Sequence, residues 1–271
     1  MISMDVAEDR DFDLKVSRVA DLVAASKHIV VFTGAGISTE SGIPDFRSPG
    51  GIWTRFDPDE FTIDKFIESE ETRRKTWKFF GIGDTISGAR PNKAHVAIFE
   101  LEQLGRLDCV ITQNIDYLHQ KAGCPPEKVF ELHGTMQWAR CLNCGKRYDM
   151  ELIRRRLKEA DQQVPECDVC LGILKPDVIY FGEGLPQEAL MKAVERAQNC
   201  DLFIIIGSSL TVYPAAYMPF YAVESGAKLV VINVTMTHCD DKAEVVIKSM
   251  AGPVMERVLT EVKKKIGIQS K

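Results

Sequence analysis

Residues 33–53 read Thr-Gly-Ala-Gly-Ile-Ser-Thr-Glu-Ser-Gly-Ile-Pro-Asp-Phe-Arg-Ser-Pro-Gly-Gly-Ile-Trp, and they follow Ile29-Val30-Val31-Phe32. A short, wholly apolar run ending in glycine marks a strand buried on both faces, as in parallel sheets. The chain then leaves that sheet at its carboxyl edge, where open α/β sheets bind ligands. Gly34 and Gly36 carry no Cβ and so allow backbone to approach a phosphate, with Ala35 between them. Ser38 and Thr39 offer hydroxyls, or an N-cap to a helix beginning there. A dinucleotide fingerprint requires a third glycine where Thr39 stands and an acid about twenty residues later. Neither is present, which weakens a hydride-transfer reading. Beyond the turn, Gly42, Pro44, Pro49, Gly50 and Gly51 exclude a regular helix. They leave a long loop carrying Asp45, Phe46 and Arg47, read as a lid over the phosphate site. The plainer alternative makes Phe46 a core plug and pairs Asp45 with Arg47.

Further strands repeat this arrangement of apolar run followed by polar edge. Leu107–Thr112 delivers Gln113-Asn114-Ile115-Asp116, Val129–Leu132 ends at His133-Gly134, Leu202–Ile206 opens into Gly207-Ser208-Ser209, and Leu229–Ile232 ends at Asn233. Val245–Ile247 is a short strand. Helical periodicity covers residues 13–27, 95–104, 187–199, 214–225 and 253–266. The expected fold is therefore α/β, a Rossmann-like parallel sheet formed by residues 14–56, 89–136 and 174–271. Short helices with Phe61, Phe66, Trp77, Phe79 and Phe80 make a helical module over 57–88 that closes in a Gly-rich loop. The segment 137–173 interrupts the alternation and reads as inserted.

That insert holds Cys141-x-x-Cys144 and Cys167-x-x-Cys170. Each pair closes a tight turn, and four thiolates can surround one tetrahedral zinc ion with no open position, which gives the metal a structural role. Gly145 and Gly172 follow the two turns, where tight turns favour glycine. His133 converges with Gln113, Asn114 and Asp116 beside the glycine turn, supplying a base, two amides and an acid around a phosphate-bearing ligand. Asp45 and Asp116 could also serve a glycosidic cleavage as carboxylates, or simply hold their loops. No Gly-x-Ser-x-Gly elbow surrounds Ser208 or Ser209.

The chain has 271 residues, 45% hydrophobic and 27% charged, with a net charge of −5. Its pI near 5.7 argues against nucleic-acid binding and against an anionic-membrane surface. With no apolar run of bilayer length and no leader-like start, the expected location is cytoplasmic.

At these residues the sequence resembles the sirtuin family of NAD-dependent protein deacylases. The resemblance runs from about Ala24 to the closing helix. It rests on Gly-Ala-Gly-Ile-Ser at 34–38, Gly-Ile-Pro-Asp-Phe-Arg-Ser at 42–48, Thr-Gln-Asn-Ile-Asp at 112–116 and His-Gly at 133–134. The four cysteines, Phe-Gly-Glu at 181–183, Gly-Ser-Ser at 207–209 and Asn233 complete it. The resemblance implies a cleft between the large domain and a small domain built from the zinc and helical modules, where NAD meets an acyl-lysine peptide. It implies that Ala35, Thr39, Phe46, Arg47, Gln113, Ser208, Ser209, Asn233 and Ala251 contact NAD, with Asn114 and Asp116 at the nicotinamide pocket and ribose. It further implies that Ile179, Tyr180, Phe181, Gly182 and Glu183, with Val212 opposite, hold the peptide as an added strand. In the implied reaction the acyl oxygen attacks the ribose carbon as nicotinamide leaves. His133 acts as general base on a ribose hydroxyl, and the acyl group passes to ADP-ribose. Relatives specific for succinyl or malonyl groups resemble one another in a Tyr and an Arg three residues apart. Residues 77–82, Trp-Lys-Phe-Phe-Gly-Ile, offer neither, so a neutral acyl group is expected. The competing readings are a protein mono-ADP-ribosyltransferase and a non-enzymatic zinc-bearing adaptor that senses NAD; the expected oligomeric state is a monomer.

Overall fold

The computed structural model describes residues 6–82, 84–159 and 164–268. Nine strands are formed in them: β1 (Ile29–Thr33), β2 (Leu107–Thr112), β3 (Val129–Glu131), β4 (Gly134–Cys141), β5 (Arg147–Asp149), β6 (Leu174–Val178), β7 (Leu202–Ile206), β8 (Lys228–Ile232) and β9 (Val245–Ile247). The α-helices are α1 (Val6–Ala25), α2 (Ile63–Glu68), α3 (Glu70–Thr76), α4 (Asp84–Ser87), α5 (Lys93–Gln103), α6 (Leu118–Lys121), α7 (Met150–Glu159), α8 (Gln187–Asn199), α9 (Met218–Glu224) and α10 (Ala251–Lys265).

Six strands form a parallel sheet in the order β3-β2-β1-β7-β8-β9. The two directions of growth meet between β1 and β7, the topological switch point of an open sheet. Strand alternation divides the core. Ile29 and Val31 face α1, α5 and α10, whereas Val30 and Phe32 face α8 and α9. All four are fully buried, each stabilising the fold by roughly 1.5–3 kcal/mol through removal of its side chain from water. Helix α5 begins at Lys93, ahead of the expected residue 95, because Asn92 caps it, its Oδ1 accepting the Ala94 N–H at 3.0 Å.

The inserted segment departs from simple α/β logic. Residues 174–178, assigned from the sequence to the parallel-sheet unit, instead form β6, which pairs antiparallel with β4 in a separate three-stranded sheet, β5-β4-β6. Its core joins the cysteine segment to the helical module: Phe66, Trp77 and Phe80 pack with Cys141, Tyr148, Ile153, Leu157, Cys167 and Leu174. The end of that module is helical rather than a Gly-rich loop, since α3 continues into a π-turn, Trp77–Ile82, followed by α4. Gly83 of the expected loop, and residues 160–163 of the insert, lie outside the described residues. No helix among the described residues is long and apolar enough to cross a membrane.

Candidate active site

Three glycines define the floor of the site, and the structure gives them a packing role beyond the one expected. The turn after β1 packs directly on the turn after β7. The Gly34 N–H donates to Ile206 O at 3.1 Å and the Gly36 N–H to Gly207 O at 2.8 Å. A Cβ on Gly34 or Gly36 would lie 2.8 Å from Gly207 atoms, and one on Gly207 would lie 2.2 Å from the Ile37 nitrogen. Gly207 also has φ +63°, a conformation costly for other residues. These glycines thus close the sheet's switch point, backbone against backbone. The turn continues as a 3-10 helix, Ala35–Ser41, so neither Ser38 nor Thr39 is an N-cap. The Thr39 hydroxyl instead donates to Gly36 O at 3.0 Å.

Ser38 is committed to the next strand end. Its hydroxyl donates to Asp116 Oδ2 at 2.7 Å, and Asn114 Nδ2 donates to Gly34 O at 3.1 Å and Ser38 Oγ at 3.2 Å. Asp116 Oδ1 accepts the Leu118 N–H at 2.9 Å. This bond steadies Tyr117, which holds φ +64° without being glycine. Burial raises the Asp116 pKa, with the Ser38 and Leu118 hydrogen bonds acting in the opposite direction. Ile115 packs on the edge of the smaller core, and its carbonyl accepts the Met136 N–H at 2.9 Å.

Beneath this layer runs a buried chain that the sequence did not single out. Thr33 Oγ1 donates to Thr112 Oγ1 at 2.8 Å, meets His119 Nε2 at 2.9 Å, and Thr112 Oγ1 accepts the Asn114 N–H at 3.0 Å. The His119 ring lies 5.0 Å from that of His95. Burial holds both imidazoles neutral, pulling the His95 pKa down to about 4 and that of His119 well below the usual value. Periodicity could not flag these threonines: they are the last residues of β1 and β2, and their bonding to each other and to His119 joins elements far apart in the chain.

His133 stands half-buried at the mouth. Its Nδ1 lies 3.0 Å from the Gln113 carbonyl oxygen, which can only accept. The ring proton therefore sits on Nδ1, and Nε2 carries the lone pair. Among the described residues Nε2 has no hydrogen-bond partner. Burial lowers the His133 pKa, and the bond to Gln113 opposes this. Gln113 Nε2 reaches Ser208 Oγ at 3.4 Å, bridging β2 to β7, and Ser209 Oγ lies 3.1 Å from Thr211 Oγ1. Asn233 Nδ2 donates to Thr235 O at 2.9 Å, and Ala251 opens α10, where Glu40 Oε2 accepts the Gly252 N–H at 2.6 Å.

The lid segment closes on itself. Asp45 Oδ1 accepts the N–H groups of Arg47 at 3.0 Å and Ser48 at 2.8 Å, so this carboxylate holds its loop and does not pair with the Arg47 side chain through either bond. Trp53 N–H returns to Phe46 O at 3.0 Å, and the two rings stand 5.1 Å apart. From Trp53 the aromatic contacts continue to Phe61 at 5.4 Å and to Phe181 at 6.3 Å.

On the far wall, residues 179–181 use their N–H groups within the protein. Ile179 donates to His133 O at 2.9 Å, Tyr180 to Glu183 Oε2 at 2.7 Å and Phe181 to Phe61 O at 3.0 Å. Gly182 turns the chain at φ +90°. Phe181 is 46% exposed while Tyr180 is buried, and half-buried Val212 accepts the Ala216 N–H at 3.0 Å.

Away from the mouth, the sulfur atoms of Cys141, Cys144, Cys167 and Cys170 lie within 4.8 Å of one another. The closest pairs, Cys141–Cys170 at 3.5 Å and Cys144–Cys167 at 3.6 Å, are far longer than a disulfide bond of about 2.05 Å. They approach the sulfur–sulfur edge of about 3.8 Å that a tetrahedron with roughly 2.3 Å zinc–sulfur bonds requires. Gly145 takes φ +75° after the first turn, but after the second the positive φ falls on Leu171, while Gly172 gives room to Asn143.

A switch-point turn, a poised imidazole and a four-thiolate module together define a nucleotide-binding α/β protein with a metal-stapled small unit. The Sir2 family model matches residues 34–214. The chain is 46% identical to NAD-dependent protein deacetylase 1 of Bradyrhizobium diazoefficiens, covering 89% of this chain and 93% of that protein. It is 45% identical to NAD-dependent protein deacylase 2 of Pyrobaculum aerophilum, covering 92% and 96%. A solved Sir2 bound to a propionylated peptide superimposes with a TM-score of 0.81 at 40% identity, over 94% of this chain and 100% of that one. A Sir2 complex with p53 peptide and NAD does so with 0.82 at 40% identity, over 93% and 98%. The chain belongs to the Sir2 family.

Proposed function

We propose that this protein is an NAD-dependent protein-lysine deacylase in which His133 is the general base. The observation that carries the reading is the orientation of that imidazole: Nδ1 is fixed on the Gln113 carbonyl, and Nε2 is left unpartnered at the mouth. Bound NAD supplies the electrophile, a ribose carbon from which nicotinamide can leave. His133 Nε2 takes the proton of a ribose hydroxyl, while the Gln113 carbonyl keeps the ring oriented and stabilises the imidazolium that forms. Asn114 and Asp116, tied to Gly34 and Ser38, present a rigid wall to the nicotinamide end. Ala35, Gly36, Thr39, Arg47, Gln113, Ser208, Ser209, Asn233 and Ala251 would hold the remainder of the dinucleotide. Phe46, braced by Trp53, shields the reacting face from water, and Asp45 shapes the loop that carries it. The acyl oxygen bonds the ribose carbon as the bond to nicotinamide breaks, and the deprotonated ribose hydroxyl then attacks the acyl carbon. One water is consumed as the carbon–nitrogen bond to lysine breaks; the products are nicotinamide, free lysine and O-acyl-ADP-ribose.

The peptide docks along residues 179–183 opposite Val212. The N–H groups of 179–181 are engaged, and so are the carbonyls of Tyr180, by the Glu183 N–H at 3.0 Å, and of Phe181, by the Ile63 N–H at 3.0 Å, so this edge meets a peptide first through the Ile179 carbonyl. Zinc at the four cysteines has no open position and serves the small unit's structure. We divide the chain at the sequence boundaries given above, with β6 contributing to the small unit. With a net charge of −5, we read the enzyme as cytoplasmic and monomeric, without a nucleic-acid partner.

Acyl selectivity follows from the walls of the helical module. Phe56, Phe61, Phe79 and Phe80 contact one another at centroid distances of 4.7–6.2 Å. Arg73 of this module spends its guanidinium on the carbonyls of Phe66 and Ile67 at 3.0 and 2.7 Å. An acyl carboxylate would there be desolvated without a partner. With peptides differing only in the acyl group, nicotinamide release is expected for acetyl, propionyl and butyryl lysine. It should fall by about tenfold or more for succinyl and malonyl lysine, the cost of an unpaired charge of at least 1.4 kcal/mol. Faster turnover of succinyl-lysine would overturn this selectivity, and no release from any acyl-lysine peptide would overturn the function.

A further inference from the structure

Lys175, on β6, is 5% exposed, and a lysine is almost never buried so completely unless it is paired. Its three ammonium protons meet three acceptors: Pro176 O at 3.3 Å, Val178 O, and Glu183 Oε2 at 2.9 Å. The ammonium also lies 4.4 Å from the centroid of the Tyr180 ring. The same Glu183 oxygen accepts the Tyr180 N–H at 2.7 Å. Lysine and glutamate therefore clasp residues 178–183 from behind. The Tyr180 ring is turned into the small core against Phe66, at 5.4 Å, and Phe181 is left 46% exposed on the other side. The clasped segment is also the one whose Ile179 N–H bonds the backbone carbonyl of His133 at 2.9 Å.

A well-packed apolar pair could stabilise this position as well as a buried ion pair does. What an ammonium with three fixed acceptors adds is register. An apolar contact tolerates a slide of the strand, and a slide by one residue would exchange the buried and exposed faces. We propose that Lys175 and Glu183 form a buried latch that sets the register of residues 179–182 against His133, making Lys175 a positioning residue for the acyl-lysine peptide. The proposal rests on the deacylase reading above, with the side chain of Glu183 facing the latch and not the peptide.

Lys175→Met keeps the aliphatic chain and removes the charge. In the full-length, zinc-loaded protein, initial rates with NAD and an acetyl-lysine peptide are expected to show a peptide KM raised about tenfold or more, the effect of losing a buried charged hydrogen bond. The KM for NAD should stay close to that of the wild type. Lys175→Arg, which retains a cation and donors, should recover most of the peptide KM. Glu183→Gln alone should raise the peptide KM in the same selective way, and it carries the test if Lys175→Met fails to fold. The double variant should fall short of the summed single effects, since both changes break one latch. A purely structural role predicts a lower Tm and fewer active molecules with both KM values unmoved, and that result would overturn the proposal. So would peptide and NAD KM values rising together. A wild-type protein that turns over no acyl-lysine peptide would instead overturn the deacylase reading, which separates the two failures.

Discussion

His133→Ala is expected to lower deacylation turnover by about 10²–10⁴-fold, the range over which a positioned general base acts, while leaving the thermal transition and zinc content near those of the wild type. His133 donates only through Nδ1 to the Gln113 carbonyl, and it is half-buried at the edge of the cores. The variant therefore loses one side-chain hydrogen bond, while the backbone bond from the Ile179 N–H to the carbonyl of residue 133 is kept. A pH profile sharpens the assignment. The base works as the neutral imidazole, and burial lowers its pKa below the ordinary 6.5. The acid limb of kcat/KM in the wild type should therefore have its midpoint below pH 6.5, activity being retained above it and lost as pH falls through it. Turnover of the alanine variant at the wild-type rate would remove His133 from the reaction.

The second large effect concerns the four thiolates. Stripping the metal, or replacing Cys141 and Cys167 together with serine, is expected to melt the small unit and abolish peptide turnover. Both residues are buried in the core that also holds Trp77, Phe66, Leu174 and Tyr180, so the metal centre and the peptide wall share one packing unit. A structural zinc contributes on the order of 10–16 kcal/mol in small zinc domains, as much as a whole domain's net stability of about 5–15 kcal/mol. The two cores of the parallel sheet contain none of the four cysteines. Far-UV dichroism should therefore be largely retained while the near-UV signal of buried Trp77 collapses, and one zinc per chain should be released. Undiminished peptide turnover in metal-free protein would show that the thiolates do not hold the wall in place.

The parallel sheet was legible because each of its strands is a short apolar run ending in glycine or a polar residue. The β2, β7 and β9 spans read from the sequence, and that of α8, coincide with the observed ones. Strand β4 escaped detection since its burial alternates irregularly, with two adjacent buried residues near its start and no strict inside–outside period. The partnership of β6 escaped for a related reason: local pattern reports extension and says nothing of which sheet receives the strand. Gln113, His133, Ser208 and the glycine turns converge as their positions at strand ends implied. The packing role of Gly34, Gly36 and Gly207 was not legible because their close approach is created by the β1–β7 pairing, a non-local fact. The Thr33–Thr112–His119 chain and the Lys175–Glu183 pair were invisible for the same reason, since each joins residues whose meaning appears only once distant elements are packed.

The central claim is that ribose chemistry at His133 ends with the acyl group on ADP-ribose, and it is tested most directly by following the adenosine label of NAD in the presence of an acetyl-lysine peptide. The account predicts that the label appears in O-acetyl-ADP-ribose, with one nicotinamide and one free lysine formed for each molecule. Label retained on protein or peptide, or NAD left intact while the peptide is deacetylated, would contradict it.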